Sequence, residues 1–181
     1  MLDIFSKLLL HKKLKFEKGQ IILLEQNVSI IPLEYLINLH KTLGVNENLL
    51  YKSAKVMGFN WFTNMYKSFK IDRHDVLDWG VKILSVAGWG DIKVVKIDRT
   101  KKVYQVEAHN SSEALAYGKS DLPKDHFIRG CFAAGGTVIF DTACDCVEKN
   151  CIAKGDKFCE FIVKPTDTFD KTDPLVKNQL F

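Results

Sequence analysis

Cys151 and Cys159 stand with seven residues between them in VEKNCIAKGDKFCEF (147–161), one on each side of a Lys-Gly-Asp turn signal, and Glu148 lies three positions before the first. Two thiols and a carboxylate are donors that zinc accepts in a tetrahedral site. The same spacing also suits a disulfide-closed hairpin or a pair of buried thiols in an ordinary sheet, so on spacing alone Glu-x-x-Cys-x7-Cys is a weak metal motif. A metal site sets a geometric condition. Residues 148 and 151 fall on opposite faces of an ideal strand, so the strand must bend or end near Asn150 for both side chains to converge.

The remaining reactive residues are less suggestive. Cys144 and Cys146 alternate with Glu148 on one strand face and read as small core or surface residues, with spare ligands as the alternative. Cys131 falls among Phe127, Ala134 and Val138 on a helix and reads as a buried small hydrophobe. His11, His40, His74 and His109 are isolated from one another in sequence. No Gly-rich phosphate loop, nucleophile elbow or dinucleotide fingerprint occurs, so no catalytic machinery can be named.

The chain of 181 residues is long enough for one well-buried core and short for two; with 46% hydrophobic and 27% charged residues it has ordinary globular composition. The net charge is +4. Its basic residues are scattered, with local runs only at HKKLK (11–15) and RTKK (99–102), which argues against a nucleic-acid stripe. The start, MLDIFSKLLLHKKLKF, is amphipathic and lacks the features of a secretory signal, and no run reaches the ~18 apolar residues of a membrane span. The expectation is a cytoplasmic protein. Five cysteines, an odd number, without an export signal point to reduced thiols or metal ligands rather than a disulfide framework.

The elements that must position these residues follow from periodicity. QIILLEQNVSIIP (20–32) reads as a hairpin closed by Pro32, and Leu33, Leu36, Ile37, His40 and Leu43 lie at helical spacing before Gly44. A wide apolar face over 46–69 predicts a mostly buried helix, and a third helix is expected from an Asp72 cap to Gly88. IKVVKIDRTKKVYQVEAHN alternates as two antiparallel strands do, LPKDHFIRGCFAAGGTVIF reads as a fourth helix capped by Asp121 with Pro123 in its first turn, and ACDCVEKNC and KFCEFIVKP supply two more strands. The tail from about Thr166 reads as unstructured, leaving a core over about 20–165. This order predicts a single α+β domain over 1–181, with a twisted antiparallel sheet covered by helices.

DHFIRGCFAAG, the strand ending VEKNC, and above all Cys151-Ile-Ala-Lys-Gly-Asp-Lys-Phe-Cys159-Glu-Phe resemble the 4-vinyl-reductase-type, or hydrocarbon-binding, domain; the hairpin and helices before them resemble stand-alone archaeal members. The resemblance implies a fold shared with nitric-oxide-sensing ligand-binding domains and Golgi transport-particle subunits, an internal pocket for a small apolar ligand, and pairing of copies through helices into a homodimer. It also implies Zn2+ at Glu148, Cys151, Cys159 and, in ungapped register, Asp125. At that last position phenol-sensing relatives carry a cysteine. The departure leaves Asp125 or the adjacent His126 as the fourth donor.

For the pocket, Gly130, Gly135 and Gly136 each cost about 1 kcal/mol of helix stability relative to alanine, which close packing or ligand room must offset. With the resemblance, the rings Phe59, Trp61, Phe62, Tyr66, Trp79, Trp89 and Phe127, together with Gly130 and Ala134, are candidates for an apolar pocket; a core of the same residues reads identically. The expected function is a ligand-binding or sensor domain, not an enzyme, with a structural zinc and no nucleic-acid contact. The rivals are a reductase or accessory protein acting on a vinyl tetrapyrrole, which needs an electron donor for which no motif is visible, and a protein-interaction scaffold.

Overall fold

A computed structural model describes residues 2–44 and 46–181. In chain order the elements are α1 (Leu2–Leu10), β1 (Leu14–Glu17), β2 (Gln20–Leu23), β3 (Gln26–Val28), α2 (Leu33–Leu43), α3 (Glu47–Phe69), α4 (Val76–Val86), β4 (Asp91–Asp98), β5 (Val103–His109), α5 (Ser112–Tyr117), α6 (His126–Phe140), β6 (Cys144–Asn150), β7 (Cys159–Pro165) and α7 (Pro174–Leu180). β1, β2 and β3 form a small antiparallel meander. The principal sheet has the order β4-β5-β7-β6 and is antiparallel throughout. The class is α+β.

α6 is the centre of the molecule. Thirteen of its fifteen residues are buried, because it lies between α3 and the inner face of the sheet, where Tyr104, Val106, Phe161 and Val163 alternate inward. The sequence permits this closeness through glycine. A Cβ on Gly130 would lie 2.6 Å from Tyr51 O and 2.7 Å from Ala54 Cβ, and one on Gly58 would lie 3.0 Å from Ala134 Cβ. α3 is started by Asn46, whose side chain accepts from the Asn48 N–H, and it turns Tyr51, Ala54, Gly58, Phe62 and Met65 inward at spacings of three and four.

Several boundaries differ from those expected. The amphipathic start forms α1, which buries Ile4 and Leu8, and β1 extends the expected hairpin to three strands; Met1 lies outside the described residues. Asp72 caps only a turn, accepting from the His74 N–H at 2.7 Å, and α4 begins at Val76. α6 starts at His126 rather than after Asp121, since Asp125 holds a non-helical φ/ψ of −86°/62° and Glu113 supplies the cap. The tail is not unstructured. α7 is capped by Asp173 with Pro174 at its first position, and Val176, Phe169 and Val147 pack together on the outer side of β6.

Candidate metal centre

Asp125 immediately precedes α6, Glu148 lies on β6, Cys151 follows β6 directly, and Cys159 opens β7. Each offers one donor atom to a group whose members all lie within 4.8 Å of one another. All four residues are at most 1% exposed.

The bend required of β6 is a β-bulge. Glu148 pairs with Phe161 and Asn150 with Glu160, so Lys149 is an extra residue that brings 148 and 151 to a common side. The chain then turns tightly: Cys151 O accepts from the N–H groups of Lys154 at 2.9 Å and Asp156 at 3.2 Å, and Asp156 Oδ2 accepts from the Cys151 N–H at 2.8 Å. Gly155 takes φ 97°, a left-handed conformation that explains the Lys-Gly-Asp signal. The Ile152 N–H points at Cys159 Sγ from 3.2 Å.

The two carboxylates share a pattern. Asp125 Oδ1 accepts from Ser111 Oγ at 2.5 Å and the Ala114 N–H at 3.1 Å, while Oδ2 has no partner. Glu148 Oε2 accepts from the Asp125 N–H at 3.1 Å, while Oε1 has no partner. Each is oriented through one oxygen and keeps the other unpaired in the interior, where an unpaired acceptor costs ~1–3 kcal/mol. Electrostatics agree. Burial, reinforced by the Asp125 charge, pushes the Glu148 carboxyl well above the usual range. The hydrogen bond between the sulfurs pulls Cys151 down to about 6 and, with burial, pushes Cys159 up. Burial thus disfavours the charged forms of Glu148 and Cys159, a cost that a bound cation would offset. The donor set fits a four-coordinate divalent ion.

His126 is not brought into this group. One step along a helix turns a side chain by about 100°, and its ring faces Tyr117 and His40 at centroid distances of 5.8 and 6.4 Å. Its Nε2 lies 3.4 Å from Glu47 Oε2, an ion-pair distance, and neither ring nitrogen has a hydrogen-bond partner. His126, followed by the Lys124 ammonium, pulls the Glu47 carboxyl down to about 2. Cys131, Cys144 and Cys146 also lie outside the group, and all five cysteines are free.

The nine candidate pocket residues are spread over several separate contacts. Trp89 stacks on Phe127 at 4.0 Å, Trp61 meets Phe62 edge-on at 5.2 Å, and Trp79 lies against Phe69 at 4.9 Å. Tyr66 lies beneath Arg73, Phe59 is exposed on α3, and Gly130 and Ala134 form the α3 contact. None of the nine lines either of two surface clefts, one of about 440 Å³ bounded by His40, Glu47 and Asn178, the other of about 610 Å³ bounded by Leu49, Val56 and Met57.

Three site residues escape sequence reasoning. Glu113 is fully buried and accepts from the N–H groups of Phe127 at 3.0 Å and Ile128 at 3.4 Å, capping α6 from another helix. Ser111 orients Asp125. Gln179 bonds the backbone of Glu148. No local pattern separates any of them from a solvated polar residue.

No family model matches the chain. It is 27% identical over 149 residues to an uncharacterised protein of Methanocaldococcus jannaschii, covering 78% of this chain and 79% of that one. Among solved structures it is similar to the phenol-responsive sensory domain of the transcription activator PoxR, with a TM-score of 0.76 at 19% identity over 99% of this chain and 96% of that one. A vinyl-4-reductase family protein from M. jannaschii aligns at 0.54, with 21% identity over 89% of this chain and 94% of that one. A trafficking protein particle complex subunit 3 from Naegleria fowleri gives 0.47, with 14% identity over 73% and 93%. The chain thus has the fold seen in the phenol-responsive sensory domain and in the vinyl-4-reductase family protein.

Proposed function

We propose that this chain is a small-molecule-binding domain of sensory type, working as a cytoplasmic homodimer, with a structural zinc ion held by Asp125, Glu148, Cys151 and Cys159. The observation that carries the zinc reading is the pair of buried carboxylate oxygens left unpaired beside two thiols. The ion would act as a cross-link, tying the start of α6 to the β6–β7 turn. Sensing is supported by the likeness to a phenol-responsive domain, and the ligand by analogy is a small apolar molecule. Free cysteines suit a reducing compartment.

Pairing is supported by apolar side chains left in solvent: Ile30, Ile31, Tyr35, Leu39 and Leu43 on and before α2, and Leu49, Val56 and Phe59 on α3. This apolar surface, continuous over α2 and the outer side of α3 in sequence, is read as a contact between copies. Native mass spectrometry of freshly purified protein tests the reading as a whole. The expected spectrum is a dimer carrying about one zinc per protomer and shedding a small apolar molecule on activation; a metal-free monomer with no adduct would overturn it.

A further inference from the structure

β6 is an edge strand of the principal sheet, with β7 on one side only. Edge strands leave outward N–H and C=O groups unpaired, yet the outward pair of Glu148 is fully satisfied by one side chain. Gln179 Oε1 accepts from the Glu148 N–H at 2.8 Å, and Gln179 Nε2 donates to the Glu148 carbonyl at 2.7 Å. The amide thus completes one rung of a sheet ladder at the residue that also supplies a donor to the metal group.

The orientation of that amide is itself determined. Arg129, 2% exposed and on α6, donates through Nη1 to Gln179 Oε1 at 2.8 Å and to the Gln179 carbonyl at 3.0 Å, so Oε1 faces two donors and Nε2 one acceptor. The Arg129 guanidinium lies 4.2 Å from the centre of the Tyr51 ring, which holds it in place from α3. Gln179 is buried, and α7 is kept against β6 by Val176 on Val147 and Phe169.

We propose that Gln179 is a positioning residue for the metal centre: through the backbone of Glu148 it sets where that carboxylate sits, so that the docked α7 controls metal affinity. This rests on the zinc reading above. Without the amide, the backbone of Glu148 at the bulge loses both of its outward hydrogen bonds, leaving its carboxylate held by the Asp125 N–H alone among the hydrogen bonds described, while Asp125, Cys151 and Cys159 keep their own supports. Groups that hold a metal's ligands are worth about 10–100-fold in affinity when removed.

The test is competition against a chromophoric zinc chelator for the wild type, Gln179→Ala, Gln179→Met and a control of similar stability loss far from the site, Val81→Ala in α4, together with visible spectra of the cobalt-loaded proteins. The expected result is a 10–100-fold loss of zinc affinity and an altered cobalt band shape in both Gln179 variants, with the control unchanged. Equal affinity in wild type and Gln179 variants, or an equal loss in Val81→Ala, overturns the proposal. A wild type that takes up neither metal overturns the zinc reading and this inference with it, which separates the two failures. Should the alanine variant not fold, Gln179→Met keeps the side-chain length. On the wild type alone, the Gln179 side-chain amide resonances must shift when zinc is added; unshifted resonances overturn the proposal.

Discussion

Asp125 and His126 are neighbours on the chain with unrelated surroundings, and the difference decides their roles. Asp125→Ala is expected to weaken zinc binding at least tenfold, because it removes a donor atom, while His126→Ala leaves affinity within about twofold; chelator titration of both variants checks this. His126 instead acts on Glu47. That carboxyl is lowered from 4.5 to about 2 by His126 first and Lys124 second. A depressed acid stabilises the fold above its unfolded value, and the stabilisation is lost as pH falls from about 4.5 to about 2. Glu47→Gln should therefore flatten the stability loss across that window in urea titrations at stepped pH. At this scale the structure gathers Glu148, Cys151, Cys159 and Asp125, a set named by the resemblance and its ungapped register and not by spacing alone. Glu113, Ser111 and Gln179 were not legible in the sequence, since each acts across a separation of at least 14 residues that no local pattern encodes.

Among the elements, α3, α6 and the hairpins β4–β5 and β6–β7 follow the sequence because each is long enough for its period to repeat. α5 and α7, of six and seven residues, complete fewer than two turns of amphipathic pattern and are stabilised by what they dock on, so periodicity passes over them. The pocket expectation turned on the same issue. Rings and glycines on α3 and α6 suit a cavity or a tight interface equally, and Gly130 lies where a methyl group would meet backbone atoms of α3 at 2.6 and 2.9 Å. Gly130→Ala should then destabilise by about 1–3 kcal/mol through overpacking, despite the ~1 kcal/mol that alanine gains in helix propensity. Chemical denaturation of the variant measures the balance, and a stabilised variant would mean that α3 and α6 can separate.

On the scale of the whole molecule, the apolar residues left in solvent lie mostly in the first sixty positions, whereas the donor group lies between residues 125 and 159. If the first set is a contact between copies, Tyr35→Glu with Leu39→Glu should convert a dimer to a monomer in sedimentation velocity without loss of metal, since α2 contributes none of the donors. α3 spans the two regions. Its outer side carries Leu49 and Val56, while on its inner side Tyr51 Oη and Lys55 Nζ bond Asp145 Oδ1 at 2.7 and 2.5 Å, and Asp145 belongs to the strand that carries Glu148. The glycines that bring α3 onto α6 leave no clearance for the two helices to slide along each other. A push on the outer side of α3 would therefore act on a bar of ~35 Å that touches α6 at Gly130 and β6 at Asp145. If the outer side of α3 is a contact between copies and the donor group holds a metal, the two are geared together through α3 and α6, and the close approach at Gly58 and Gly130 sets the stiffness of that gear.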